Sequence, residues 1–297
     1  MKARLALTAN SPAMTDELSR AVLPSGVELH YLQGGAGEPL VFVHGVMGDW
    51  ESWAPQWPTF CARYRCTTYS RRYNHPNRNE IASPDHSALV EAEDLRQFMG
   101  VLGLDSAILV ASSYGAFAAL ALAVHHPAMV SALVAVEPAM LCYADFTETG
   151  RQERERFTRS VVEPANAAFR RGEDALGATL MTGGIHTPGA AVLQGPAMAR
   201  RLQNAKAMRM LALSSNEFPL LAPTSLAAIR CPVLLLSGQD TAAIHAEVFR
   251  NVCAAMPQAR QVLIPGAGHP VARDQPALFN DAALKFLDEA HHRSPNP

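Results

Sequence analysis

Short apolar runs alternate along the chain with longer segments of helical length and composition. Four runs are apolar at every position, as strands buried on both faces of a sheet are: residues 39–43, 107–111, 132–136 and 232–236. Further strands are predicted at residues 27–31, 66–69 and 261–264. The segments typical of helices include residues 50–63, 83–99, 115–127, 242–256 and 276–290. This alternation predicts an α/β fold with a mostly parallel sheet flanked by helices.

The alternation stops once, between residues 140 and 228. That stretch is rich in charged, helix-forming residues and carries glycine and proline breaks, without a convincing strand. Within it, residues 196–213 are again typical of a helix. In an α/β sheet such an insertion lies over the carboxyl ends of the strands. The prediction is a core of residues 25–139 and 229–290, a helical lid of residues 140–228 inserted after the sixth strand, a loose leader of residues 1–24 and a tail of residues 291–297.

A corner with a hydroxyl group follows the buried strand 107–111. Two serines, Ser112 and Ser113, separate this strand from an alanine-rich helix. A nucleophile on such a strand–turn–helix corner has a strained backbone, and the residues two before and two after it must be small. Ser113 meets this requirement with Ala111 and Gly115, whereas Ser112 would place larger residues there. The spacing predicts Ser113 as a nucleophile; the alternative is a serine that caps the helix.

Two further motifs lie at strand ends. His44-Gly45 follows the strand 39–43, and a Gly-x-Gly-His loop that ends at His269 follows the strand 261–264. A His-Gly turn, a small-x-Ser-x-small elbow and a final Gly-x-Gly-His loop occur in this order in α/β-hydrolases. From residue 27 to residue 287 the sequence resembles the α/β-hydrolase superfamily, and within it the bacterial serine esterases and lactonases with a single lid.

The resemblance implies a Ser-His-acid triad and an oxyanion hole. His269 matches the general base of the superfamily, and the backbone N–H groups of Val46 and Tyr114 match the oxyanion donors. The acid stays open between two residues. Asp240 follows the first strand after the lid, the usual place, but one residue earlier than the usual Gly-x-x-Asp spacing. Glu137 follows the strand before the lid, where a minority of relatives carry the acid.

The resemblance also implies a reaction class. Relatives that open epoxides or remove halides use an aspartate at the elbow, whereas position 113 is a serine. We therefore expect hydrolysis of a carboxylic ester or lactone of a small, largely apolar molecule, through an acyl-enzyme intermediate and without a cofactor or metal. The alternatives are a non-catalytic protein that binds a small molecule, and a cofactor-free perhydrolase or haloperoxidase.

Composition and charge limit the partners. The formal net charge is −2 without a basic stripe, which argues against nucleic-acid binding. No apolar run approaches the ~18 residues of a membrane span, and the patch Leu5–Leu7 is too short for a signal-peptide core. The five cysteines are scattered and odd in number, as in a reducing compartment. We expect a cytoplasmic monomer or homodimer that binds a small substrate, and neither nucleic acid nor membrane.

The polar loop of residues 71–79 is ambiguous. It carries three arginines and a histidine near a strand end, where the rim of the site is expected. We favour a solvated surface loop; the alternative is recognition of a negatively charged or polar group of the substrate.

Overall fold

The apolar runs lie side by side in a sheet of eight strands. The computed structural model describes residues 17–81, 83–185 and 195–293. In chain order the strands are β1 (Ser19–Val22), β2 (Glu28–Gly34), β3 (Pro39–Val43), β4 (Arg65–Tyr69), β5 (Ala107–Ser112), β6 (Val130–Val136), β7 (Val233–Gly238) and β8 (Arg260–Ile264).

The spatial order of the strands is β1-β2-β4-β3-β5-β6-β7-β8. β2 pairs antiparallel with β1 and β4, and every other pairing is parallel. The nearly all-apolar strand β5 lies between β3 and β6, with Ala111 opposite Val43 on one side and Ala135 on the other. The carboxyl ends of β3, β5, β6 and β7 therefore meet at one edge, and the predicted α/β class with a mostly parallel sheet is confirmed.

Helices connect the strands and cover the sheet. They are α1 (Trp57–Cys61), α2 (Ala88–Val101), α3 (Tyr114–His125), α4 (Glu148–Phe157), α5 (Glu163–Arg170), α6 (Asp174–Ile185), α7 (Gly195–Gln203), α8 (Ala205–Ala212), α9 (Pro223–Ala227), α10 (Ala243–Ala255), α11 (Val271–Asp274) and α12 (Pro276–Arg293). Within the described ranges, no helix has both the length and the apolar character needed to cross a bilayer.

Each face of the sheet carries its own hydrophobic cluster, because alternate side chains of a strand point to opposite faces. On β3, Val41 and Val43 belong to one cluster, and Leu40 and Phe42 belong to the other. The first cluster continues into the segment between β6 and β7, for example through Met208. That segment therefore shares one hydrophobic core with the sheet.

The described part of the predicted lid, residues 140–185 and 195–228, consists of helices and turns without a strand. Residues 186–194 lie outside the described residues. One helix was predicted over residues 196–213, but it breaks at Asn204. The side chain of Asn204 accepts a hydrogen bond from the backbone N–H of His75 and donates one to Asp49. These contacts attach the break to the core of the protein.

The chain differs from the prediction at three other places. Residues 19–22, predicted as part of a loose leader, form β1, while residues 1–16 of that leader lie outside the described residues. α12 continues to Arg293, into the predicted tail, whose residues 294–297 also lie outside them. The helix predicted over residues 50–63 is instead a short 3₁₀ turn followed by α1. Pro55 and Pro58 lack the N–H groups that one continuous helix would need at these positions.

Candidate active site

Ser113 occupies the corner between β5 and α3. Its φ of 55° and ψ of −123° are a conformation that non-glycine residues rarely adopt, with a cost of about 1–3 kcal/mol. A Cβ atom on Gly115 would lie 2.4 Å from the carbonyl oxygen of His44, so α3 can approach the turn after β3 only with glycine there. The strained corner and the residue that permits it therefore occur at the predicted spacing.

Ser113, Glu137 and His269 form a hydrogen-bonded chain across three strand ends. They follow β5, β6 and β8, respectively. Nε2 of His269 lies 3.0 Å from the hydroxyl oxygen of Ser113, and Nδ1 of His269 lies 2.6 Å from Oε2 of Glu137. With Nδ1–H donating to the carboxylate, Nε2 is left as an acceptor for the serine hydroxyl. This is the geometry of a nucleophile, a base and an orienting acid.

Donors at the end of β7 and directly after it hold the carboxylate of Glu137. Glu137 has a positive φ of 40°, and only 2% of the residue is exposed. Its Oε1 accepts hydrogen bonds from the Ser237 hydroxyl at 2.7 Å and from the Gly238 N–H at 2.8 Å, and its Oε2 accepts one from the Thr241 hydroxyl at 2.9 Å. These bonds compensate for the burial of the carboxylate and fix its orientation.

Asp240, the other candidate acid, is exposed. Its backbone N–H donates to the carbonyl oxygen of Ala267 at 2.9 Å, while the carboxylate at Nδ1 of His269 is that of Glu137. A Cβ atom on Gly238 would lie 2.3 Å from the carbonyl oxygen of Ala267. The glycine therefore allows the loop that carries His269 to lie against the end of β7, within reach of the side chain of Glu137.

The predicted oxyanion donors flank Ser113. Tyr114 is the first residue of α3, so its N–H has no partner within the helix. On the other side, a Cβ atom on Gly45 would lie 3.7 Å from the hydroxyl oxygen of Ser113, and Val46 follows directly. The side chain of Asn74 donates to the carbonyl oxygen of Val46 at 2.8 Å, which orients this turn.

His44 stabilises the same turn through hydrogen bonds of both its ring nitrogens. Its Nδ1 lies 2.7 Å from the carbonyl oxygen of Gly45, and its Nε2 lies 3.0 Å from the backbone nitrogen of Arg71. The Arg71 N–H can only donate, so Nε2 accepts and Nδ1–H donates to Gly45. Burial and the charge of Arg71 lower the pKa of His44 to about 3, which keeps this neutral tautomer. His44 therefore has a structural role at the turn.

The loop of residues 71–79 is largely buried at its start, contrary to the favoured expectation of a solvated loop. Arg71 is 1% exposed, and its guanidinium lies 3.2 Å from Glu91 and over the ring of Tyr114 at 5.7 Å. His86 Nε2 lies 2.9 Å from the same carboxylate. Burial alone would raise the pKa of Glu91, but Arg71 and His86 outweigh it and lower the pKa to about 2. Glu91 is therefore ionised and neutralises Arg71.

Residues 140–228 also contact the elbow and the oxyanion turn. The phenol of Tyr114 donates to the carbonyl oxygen of Glu217 at 2.6 Å. The hydroxyl of Thr182 on α6 lies 3.4 Å from the sulfur of Met47, which follows the oxyanion turn. Residues 140–228 therefore contact both the elbow and the turn that flanks Ser113.

One group of metal-ligating residue types lies at the site. Glu137, His245 and His269 each offer a ligand atom, and these atoms lie within 4.8 Å of one another. The rings of His245 and His269 are stacked, with centroids 4.1 Å apart and planes 22° apart. Imidazole lone pairs lie in the ring plane, so two such rings cannot both point at an ion about 2.1 Å away. The stacked arrangement does not fit a metal.

Some residues of the site could not be recognised in the sequence. Ser237 at the end of β7, and Thr241 and His245 after it, contact Glu137 or His269, which are distant from them in the sequence or carry no shared local pattern with them. One signal in the sequence could have predicted the burial of Arg71. The acidic residues Glu91 and Asp94 occur on the apolar face of α2 with Leu95. Acidic residues on a buried helix face indicate buried cations.

Comparisons with known proteins agree with this fold. The sequence profile of the alpha/beta hydrolase family matches residues 40–282. The RutD protein of Caulobacter sp. (strain K31), provisionally named a carbamate hydrolase, is 26% identical in an alignment 272 residues long that covers 87% of this chain and 94% of RutD. Epoxide hydrolase 1 of Caenorhabditis elegans is 24% identical over 91% of this chain and 70% of its own length.

A solved structure shows the same architecture. Carboxylesterase CesB of Bacillus subtilis superimposes with a TM-score of 0.69 at 20% identity, covering 92% of this chain and 92% of its own. At this identity the likeness concerns the fold alone, whereas the family profile spans most of the sequence. The strained serine elbow, the order of the motifs and the profile match lead to the same conclusion: the chain belongs to the alpha/beta hydrolase family and is a hydrolase.

Proposed function

We propose that this protein is a serine hydrolase that cleaves a carboxylic ester or a lactone through an acyl-enzyme intermediate. The observation that carries the proposal is the hydrogen-bonded chain from the carboxylate of Glu137 through His269 to the hydroxyl of Ser113, with distances of 2.6 and 3.0 Å. A serine hydroxyl is a weak nucleophile at neutral pH and needs an adjacent base. His269 is in the position to act as that base.

In the first half of the reaction, the hydroxyl oxygen of Ser113 attacks the carbonyl carbon while Nε2 of His269 takes the hydroxyl proton. The carbonyl oxygen becomes negatively charged and accepts hydrogen bonds from the backbone N–H groups of Val46 and Tyr114. The tetrahedral intermediate then expels the alcohol, which receives the proton from His269, and leaves an acyl ester on Ser113. A water molecule repeats these steps and releases the acid; in a lactone, alcohol and acid are one molecule.

We assign the acid of the triad to Glu137. The support is the 2.6 Å contact with Nδ1 of His269 and the three further donors that hold the carboxylate. This contact stabilises the imidazolium that forms during each step and fixes the tautomer in which Nε2 accepts. The exposure of Asp240 argues against the alternative assignment.

We further propose an apolar acyl or alcohol group. Met47 beside the oxyanion turn is buried and contacts Thr182, and methionine adapts to irregular apolar groups. The epoxide route of some relatives needs a carboxylate at the elbow, and position 113 is a serine. None of the steps above requires a metal or an organic cofactor.

The test is turnover of p-nitrophenyl esters of increasing acyl length and of simple lactones by the wild type, Ser113→Ala and the neighbouring control Ser112→Ala. We expect a burst of p-nitrophenol, its loss in Ser113→Ala and its retention in Ser112→Ala. A serine-directed phosphonate should label Ser113 alone. A folded wild type with neither turnover nor label would instead support the ligand-binding alternative.

A further inference from the structure

We infer that His245 is a positioning residue that holds the ring plane of the base, His269; this inference rests on the proposed function. His245 lies in the first turn of α10 and is 6% exposed. Its ring is stacked on that of His269, with centroids 4.1 Å apart and planes 22° apart.

The hydrogen bonds of His269 limit the movement of its ring without fixing the ring plane rigidly. They run from Nδ1 to Glu137 and between Nε2 and Ser113. Because hydrogen bonds tolerate deviations from linearity, rotation about the side-chain bonds of His269 can still tilt the ring. A flat side chain packed against one face opposes this tilt, because tilting would bring the two rings into collision. The stacked ring of His245 therefore adds a steric restraint to that of the hydrogen bonds.

The same stretch of chain orients the acid and the base. Ser237, Gly238 and Thr241 hold the carboxylate of Glu137, and His245 follows directly on α10. Because one stretch of chain contacts both groups, it sets the position of the carboxylate relative to the imidazole ring. Such preorganisation matters for catalysis, since small errors in the position of a reacting group reduce the rate.

The segment after β6 also contacts this ring. Phe157, at the end of α4, contacts His245 edge to face, with centroids 6.2 Å apart and planes 62° apart. His245 therefore packs against both Phe157 and His269. Movement of its ring away from the base would also disturb its contact with α4.

The experiment distinguishes the effect of the flat ring of His245 from the effect of its hydrogen-bonding nitrogens. His245→Phe keeps a flat ring without nitrogen atoms, and His245→Gln keeps polar groups without a ring. The readouts are kcat, KM and the second-order rate of labelling of Ser113 by a phosphonate. We expect His245→Gln to lower kcat and the labelling rate by about 10- to 100-fold with little change in KM, and His245→Phe to restore most of both rates.

A matched control lies on the same helix. Val252 is fully buried on α10, so Val252→Ala should lower the melting temperature without lowering kcat. His245→Tyr replaces the phenylalanine variant if that variant does not fold. The inference is overturned if His245→Gln retains the wild-type kcat, if the ring-keeping variants are as slow as His245→Gln, or if the loss follows the melting temperature. Failure of the proposed function differs, because the wild type would then lack turnover and labelling.

Discussion

Two buried histidines lie on opposite sides of Ser113, and their nitrogen atoms have different partners. Both nitrogens of His44 bond to backbone groups, the carbonyl oxygen of Gly45 and the N–H of Arg71. His269 directs one nitrogen to the carboxylate of Glu137 and the other to the hydroxyl of Ser113. The same side chain is therefore structural where the backbone occupies both nitrogens, and suited to proton transfer where one nitrogen faces a hydroxyl.

The carboxylates beside these histidines differ in the same way. Glu91 neutralises a buried arginine under the oxyanion turn and makes no contact with the predicted triad, whereas Glu137 contacts the proposed base directly. The first region should therefore determine stability, and the second the rate of reaction. The predictions below test this separation, beginning with the largest effect.

Replacing the two histidines should have opposite consequences. His269→Ala removes the base and should lower kcat/KM for activated esters by about 10⁴- to 10⁶-fold with little change in melting temperature. His44→Leu removes both backbone contacts and should lower the melting temperature, with a smaller loss of rate from the displaced oxyanion donor. Steady-state kinetics and thermal unfolding of both variants measure this. An inactive His44→Leu protein of wild-type stability would contradict the comparison.

The two candidate acids should differ by several orders of magnitude. Glu137→Gln keeps the shape of the side chain but removes the charge that faces the imidazolium, and should lower kcat by about 10³- to 10⁴-fold. Asp240→Asn should stay near the wild-type rate because Asp240 is exposed. The measurement is kcat on one ester, with folding checked by circular dichroism. A large loss in Asp240→Asn alone would reverse our assignment of the acid.

Glu91→Gln should reduce stability more than activity. It leaves the guanidinium of Arg71 buried without its counter-charge, and should lower the free energy of unfolding by about 3–5 kcal/mol. Glu93→Gln on the same helix is the control, because Glu93 and Arg96 form a half-exposed pair worth at most about 1 kcal/mol. Urea unfolding of both variants gives the difference. Equal stabilities would show that Arg71 does not depend on Glu91.

As the pH falls, the free energy of unfolding should decrease first through protonation linked to His44 and then through that linked to Glu91. The folded-state pKa of His44 is lowered from 6.5 to about 3, so its stabilising contribution is present above pH 6.5 and is lost as the pH falls towards 3. That of Glu91 is lowered from 4.5 to about 2 and is lost below pH 4.5. Each group changes the free energy of unfolding by up to about 1.4 kcal/mol per pH unit.

Urea unfolding at pH 7, 6 and 5 measures the contribution of His44, with His44→Leu as the comparison. The variant should lose less stability than the wild type over this range, because it lacks the group that the unfolded chain protonates. An identical pH dependence in both proteins would place the acid sensitivity at other groups.

The parts of the candidate site that could be predicted are those defined by residues close together in the sequence. The elbow could be located because the small residues that it requires, Ala111 and Gly115, lie within two positions of Ser113 at the end of an apolar strand. The strands β3, β5, β6 and β7 could be predicted because their burial on both faces leaves a continuous apolar pattern. These features are local, or are repeated in every buried strand.

The parts that the sequence left open depend on contacts between distant residues. Whether Glu137 or Asp240 reaches His269 is decided by the approach of the chain at Gly238, which no local pattern encodes. Arg71 belongs to a loop whose composition is polar. It can be buried because Glu91, which also contacts His86, lies against its guanidinium and balances its charge. The stacking of His245 on His269 joins the first turn of α10 to the loop after β8, and neither segment carries a sequence signal for it.

The position of His269 has a consequence for refolding. Ser113 and Glu137 follow the adjacent strands β5 and β6, whereas His269 follows β8, the strand at the end of the sheet. Pairing of distant parts of a chain is slow compared with local contacts, so the imidazole should join the other two groups late. During recovery from denaturant, ester cleavage should lag behind the return of helical circular dichroism, and the length of that lag would time the docking of the last strand.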